Sequence, residues 1–205
     1  MSPNRNHPRK GSSTKVAPIK NTKDIKAIRN LLRDSPRDHL LFVMGINTGL
    51  HVCDLLAIRL NDVRHMKAGQ KTSIAASVSG KTNVLDFNAK VYEVAQEYFN
   101  YLEANGRTDR GTYLFESRKG GKPLSMSTLN ALVKKWAAAI DLAGNYGALS
   151  LRKTWGYQQI KVHGMDIEHV RESYKHKAKS CTRAYLDLLG EEAGNDDIHT
   201  YGAVG

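Results

Sequence analysis

The stretch His176-Lys177-Ala178-Lys179-Ser180-Cys181-Thr182-Arg183-Ala184-Tyr185 sets a tyrosine nine residues after a histidine, within a basic segment. Upstream, Ser150-Leu151-Arg152-Lys153-Thr154-Trp155 adds an arginine. A phenol has a pKa of about 10, so it attacks phosphorus usefully only where cationic and hydrogen-bonding groups stabilise the phenolate and the phosphate charge. Imidazole and guanidinium are groups of that kind. Taken singly, each has an ordinary reading: Tyr185 lies among Leu186, Leu188 and Leu189 and fits a half-buried helix aromatic, and His176 and Arg152 fit solvated faces. Their meaning depends on what surrounds them.

The 205 residues hold one domain of about 150 to 180 residues plus tails. Lys and Arg number 31 against 20 Asp and Glu, a net charge of +11 that favours a polyanionic partner such as nucleic acid. Cys53 and Cys181 stand alone without metal-ligand spacing, which argues against a disulfide framework and a zinc site and fits a reducing compartment. No apolar run approaches the roughly 18 residues that span a bilayer, and Met1 to Lys10 lacks the apolar stretch of a signal peptide. These features predict a cytoplasmic protein with no membrane contact.

Residues 1–20 are polar, basic and broken by Pro3, Pro8, Gly11 and Pro18, and read as a flexible arm. A domain is expected over 21–190, with Glu191 to Gly205 as a flexible acidic tail. Thr22 is placed to cap a helix carrying Ile25, Ile28, Leu31 and Leu32. Pro36 suits the first turn of a second helix, whose run Leu40 to Ile46 is apolar nearly all round and therefore buried, with Gly49 closing it. Val52, Leu55, Leu56 and Ile58 begin a short helix ending near Asn61-Asp62. Between Lys71 and Phe87 the pattern gives two strands and a turn, with Tyr113-Leu114-Phe115 as a possible third strand. Helices follow at about 89–105, 125–143, 149–163, 166–173 and 178–189. The fold class is mostly α with a small antiparallel β-sheet, an α+β domain.

The stretch Gly45-Ile46-Asn47-Thr48-Gly49-Leu50-His51-Val52-Cys53-Asp54-Leu55-Leu56-Ala57-Ile58-Arg59 resembles the first box of the tyrosine recombinases, the phage-integrase family, in which Thr-Gly-Leu precedes an arginine. Leu149 to Gly156 resembles the second box and His176 to Leu186 the nucleophile box. Three boxes in order make the match specific. The resemblance implies a tyrosine recombinase catalytic-domain fold and site-specific DNA recombination or integration. Strands break and rejoin through a 3′-phosphotyrosyl intermediate, without metal ion or other cofactor. It assigns Tyr185 as nucleophile, Arg152 to the phosphate clamp, His176 as a hydrogen-bond donor to the phosphate, and Lys81 as general acid toward the leaving 5′-oxygen. Asp54 falls at an acidic position that orients the first clamp residue. The implied partners are double-stranded DNA and further copies of the chain, a tetramer on DNA and a monomer when free, in the nucleoid of a bacterial or phage-type host cell.

Two positions depart from the family pattern. His51 stands where the first clamp arginine belongs, and a titrating imidazole does not replace a permanently charged, bidentate guanidinium. By analogy with removing one oxyanion donor, the loss is roughly 100- to 1,000-fold in rate. Leu149 stands where a histidine is usual. Two readings follow: a working recombinase in which a protonated His51 partly replaces arginine, or a DNA-binding protein of the same fold that cleaves slowly or not at all. The separate helical arm-type domain that usually precedes the catalytic domain is not expected within residues 1–20.

Overall fold

The computed structural model describes residues 15–75, 82–107, 113–117 and 120–188. Among them, α1 (Thr22–Leu31), α2 (Pro36–Asn47), α3 (Val52–Ala57) and α4 (Leu60–Val63) lead into the hairpin β1 (Gln70–Ala75) and β2 (Thr82–Phe87). Then follow α5 (Ala89–Ala104), α6 (Met126–Ala139), α7 (Ala148–Lys161), α8 (Ile167–Tyr174) and α9 (Lys179–Leu186). The strands pair antiparallel from Gln70↔Phe87 to Ala75↔Thr82. This is the expected mostly helical domain with a small antiparallel sheet.

The apolar run in α2 explains the core. Leu40, Leu41, Phe42, Val43 and Met44 are fully buried, since α2 packs between α5 and α7 and has no free face. The Phe42 ring meets Trp136 of α6 edge-on with centroids 5.9 Å apart. Pro36 occupies the first turn, where its missing N–H costs nothing. Gly49 ends the helix in the left-handed region at φ +61°, and a Cβ there would lie 2.7 Å from the Trp155 ring. The turn that carries Thr48-Gly49-Leu50 is thereby pressed directly onto α7.

Four expectations need correcting. The arm was to run through residue 20, but residues 15–20 lie along α7. Ala17 N–H donates to Asn145 O, Ile19 N–H to Thr154 Oγ1 and Gln158 Nε2 to Lys20 O, while Ile19 is buried. Apolar Val16, Ala17 and Ile19 supply this anchoring. The first helix is capped by Asn21, whose side chain accepts Lys23 N–H, rather than by Thr22. The helix expected after Val52 divides at Arg59, where an extended backbone lets Asp62 Oδ2 accept the Arg59 N–H and start α4. Tyr113-Leu114-Phe115 adds no strand to the hairpin: Leu114 N–H donates to Ile58 O, leaving only an isolated Arg59↔Tyr113 bridge. Lys81, residues 1–14 and the tail from 191 lie outside the described residues. Among the described residues no helix is long and apolar enough to cross a membrane.

Candidate active site

Helix α7 carries Arg152 one residue from the buried Leu151 that anchors it to the core. Arg152 Nε donates to Gly49 O at 3.0 Å, so the turn after α2 fixes the guanidinium. With Nε engaged, its terminal amino groups make no hydrogen bond among the described residues. Beneath it lies Tyr174, the last residue of α8, with its ring centroid 4.5 Å from the guanidinium carbon. The Tyr174 hydroxyl donates to Arg152 O at 2.5 Å and accepts Gly156 N–H at 3.1 Å. Gly156 permits this approach, because any side chain there would collide with that hydroxyl.

The Tyr174 ring is the hub of the site. Trp155 lies 5.4 Å from it, His176 5.2 Å and Tyr185 5.4 Å, and His176 and Tyr185 are themselves 5.3 Å apart. The structure thus brings Arg152, His176 and Tyr185, which are separated in sequence, onto one aromatic platform. Arg171 of α8 holds the turn into this arrangement by donating from Nη1 to His176 O at 2.7 Å. His176 Nδ1 is 3.0 Å from Oγ1 of the buried Thr182, tying the histidine to α9. Burial and then the positive charge of Arg152 lower the His176 pKa from 6.5.

Tyr185 is half-buried on α9. Burial raises its pKa above 10, and Arg152 opposes that shift. Tyr174 is raised as well, far more strongly, since its hydroxyl is enclosed. Of the two phenols in contact, Tyr185 is the less strongly raised. The ammonium of Lys153 lies 5.0 Å from the Tyr185 ring centroid and donates to Val16 O at 2.8 Å. Burial lowers the Lys153 pKa. The docked N-terminal segment and the tyrosine therefore share one buried cation.

His51 precedes α3 and caps it, its Nδ1 accepting Cys53 N–H at 3.3 Å. It shares with Arg152 an open cleft of about 690 Å³. Burial first, then Arg152, lower the His51 pKa, with Asp54 opposing them. Asp54 is buried and accepts Asn83 Nδ2 at 2.7 Å. It acts electrostatically on His51, and this hydrogen bond ties it to the hairpin. Leu149 is 40% exposed and does not line the cleft. Among the described residues no three His, Cys, Asp or Glu side chains converge to hold a metal ion.

Sequence reasoning missed Tyr174, Lys153, Lys175 and Asn83. An aromatic two residues before His176 and a second cation directly after Arg152 were the available signals for the first two. Nothing in the spacing marks Asn83.

The fold belongs to a known class: a chain of XerA recombinase superposes with a TM-score of 0.68 at 15% identity, over 84% of this chain and 61% of that one. XerH site-specific recombinase, solved in a post-cleavage complex with its difH substrate, gives 0.66 at 18% identity, over 85% and 50%. A model of the phage integrase family matches residues 20–192, and the chain belongs to that family. It is 28% identical to the probable integrase/recombinase YoeC of Bacillus subtilis (strain 168), over 84% of this chain and 90% of that protein. It spans only 41% to 55% of the length of the other curated tyrosine recombinases it matches.

Proposed function

We propose that this domain breaks and rejoins DNA strands at specific sites, the reaction of recombination or integration, with Tyr185 as nucleophile. One observation carries the reading: Tyr185, His176 and Arg152 converge on Tyr174, and the charge of Arg152 acts on the Tyr185 phenol. The Tyr185 oxygen forms the bond to phosphorus and loses its proton, and the bond to the 5′-oxygen breaks, leaving a 3′-phosphotyrosyl ester and a 5′-hydroxyl. Arg152 donates two parallel hydrogen bonds to the non-bridging oxygens, where charge grows in the transition state. His176 donates from Nε2, its Nδ1 being occupied by Thr182. Lys81 protonates the leaving oxygen, and His51, which lines the same cleft as Arg152, contacts the phosphate. The ester conserves bond energy, so a 5′-hydroxyl from another strand reverses the step without external energy.

Double-stranded DNA is the partner, bound by a domain that is monomeric when free and tetrameric on paired sites, in the cytoplasm at the nucleoid. The net charge of +11 supports the polyanionic partner. The family membership and the likeness to a recombinase solved on its cleaved substrate support the chemistry. The test is incubation with nicked suicide duplexes of randomised core, followed by denaturing electrophoresis. A covalent protein–DNA band that is absent with Tyr185→Phe is expected. An equal band with Tyr185→Phe, or none with the unaltered protein while it binds the DNA, would overturn the proposal.

A further inference from the structure

We propose that Lys175 is a second permanent cation of the phosphate-binding cleft, meeting the same DNA phosphate as Arg152 and supplying the charge that His51 does not hold. The inference rests on the reading that this cleft receives DNA.

Lys175 caps α8 in the left-handed conformation, φ 58° and ψ 35°. Glycine adopts that conformation freely, whereas a lysine adopts it at a cost. The position therefore sets a long cationic side chain where the backbone would favour none. From this cap the Lys175 ammonium reaches across the cleft and donates to Asn83 Oδ1 at 2.8 Å. Asn83 Nδ2 donates in turn to Asp54 Oδ2 at 2.7 Å, and Asp54 lies three residues beyond His51 on α3. The amide thus links Lys175 to the helix that His51 caps, and Lys175 and His51 line the same cleft. An ammonium has three donors. Among the described residues Asn83 takes one, leaving two for a ligand in the cleft.

The charges lining the cleft isolate the same residue. Lys71 is paired with Asp86 at 3.5 Å, and Glu172 is 3.6 Å from Arg171. Among the described residues, Arg152 and Lys175 are the lining cations that contact no carboxylate directly. His51 uses Nδ1 to cap α3, so in the free protein it offers the cleft a neutral donor. A phosphodiester seated against the Arg152 fork would find its second full positive charge on α8.

The test measures affinity for a mixed-sequence 20-bp duplex as a function of salt, with the melting temperature of each variant as a folding control. Each phosphate neutralised contributes a slope of about 0.9 in log affinity against log salt. Lys175→Gly, which removes the charge together with the backbone strain, should melt no lower than the unaltered protein. It should lose about tenfold in affinity at 0.1 M salt and lower the slope by about one. Lys175→Gln should show the same losses, and Lys175→Arg should retain both affinity and slope. Adding His51→Arg to Lys175→Gly should restore them, because the two positions serve one phosphate. An unchanged slope in Lys175→Gly overturns the proposal. So does a loss that His51→Arg fails to recover, which would place Lys175 on a different phosphate. Binding reads the cation whether or not Tyr185 forms an ester, so failure of the cleavage reading shows separately in the Tyr185-dependent adduct.

Discussion

The bulk of the domain and its C-terminal corner are held by different means. The main core joins α1 to α7 through a continuous apolar cluster from Ile19 to Leu151. The corner formed by α8 and α9 has its own small cluster, Val170, Tyr174, Leu186 and Leu188, with Trp155, Tyr157, Ile160 and Tyr185 partly buried against it. Arg152 belongs to the first region through Leu151 and Gly49, whereas His176 and Tyr185 belong to the second. Helix α9 has eight residues, no side-chain N-cap, and ends at Asp187 in the left-handed region. So short a helix draws its stability from tertiary contacts rather than from propensity. The proposed phosphate-binding Arg152 is thus built on the large core and the proposed nucleophile Tyr185 on the small cluster, which is expected to open at lower free energy.

Deleting each tyrosine hydroxyl in turn should separate the two regions most strongly. Tyr185→Phe should abolish the covalent adduct and leave thermal stability nearly unchanged, since that hydroxyl makes no hydrogen bond among the described residues. Tyr174→Phe should lose about 1 to 2 kcal/mol in chemical denaturation, because the Arg152 carbonyl and Gly156 N–H both lose a buried partner. Its adduct should form more slowly and not vanish.

Core truncations sharpen the contrast further. Leu41→Ala, at a fully buried site in α2, should cost about 3 to 5 kcal/mol of global stability. Leu186→Ala, equally buried in the small cluster, should cost about 2 to 3 kcal/mol, because a thin corner relaxes around the lost volume. Adduct formation should fall more in Leu186→Ala than in Leu41→Ala, the reverse of their order in stability. Without any substitution, hydrogen exchange should show α9 amides exchanging faster than those of α2.

The smallest effect expected is on pH. His39 in the main core and His51 and His176 in the site all have folded pKa values below 6.5, with burial as the first cause. The unfolded chain therefore binds more protons below about pH 6.5, and stability should fall as pH drops through that value, levelling off once the folded pKa values are passed. DNA should separate the two regions. A phosphate beside His51 and His176 raises their pKa, so affinity should increase as pH falls from 8 to 6, while His39 contributes nothing to that gain. Calorimetry in buffers of different ionisation enthalpy would count the protons taken up on binding. No uptake would place both site histidines away from the phosphate.

How far the sequence could be read divides along the same line. The run Leu40 to Met44 declared a buried helix because apolar side chains on every face leave no alternative, and Gly49 marked its end because the turn needs a positive φ. The three boxes brought out Arg152, His176 and Tyr185 as separate points. Periodicity carried no information on Tyr174 as their common platform, since its role depends on how α8 returns over α7. The docking of residues 15–20 was hidden by the polar composition of the stretch before them, although Ile19 alone is 1% exposed. Lys175 was hidden in a basic run, where its left-handed backbone leaves no trace in the sequence.

The most direct test of the account is to identify which tyrosine carries the ester. After trapping on a suicide duplex, nuclease trimming and tryptic digestion, Tyr174 falls in Glu172-Ser173-Tyr174-Lys175 and Tyr185 in the peptide that begins at Ala184. Mass spectrometry should find the residual nucleotide on the peptide from Ala184, at Tyr185, and leave the Tyr174 peptide unmodified. A nucleotide on Tyr174, or on neither tyrosine while the duplex is cut, would contradict the assignment of Tyr185 as nucleophile.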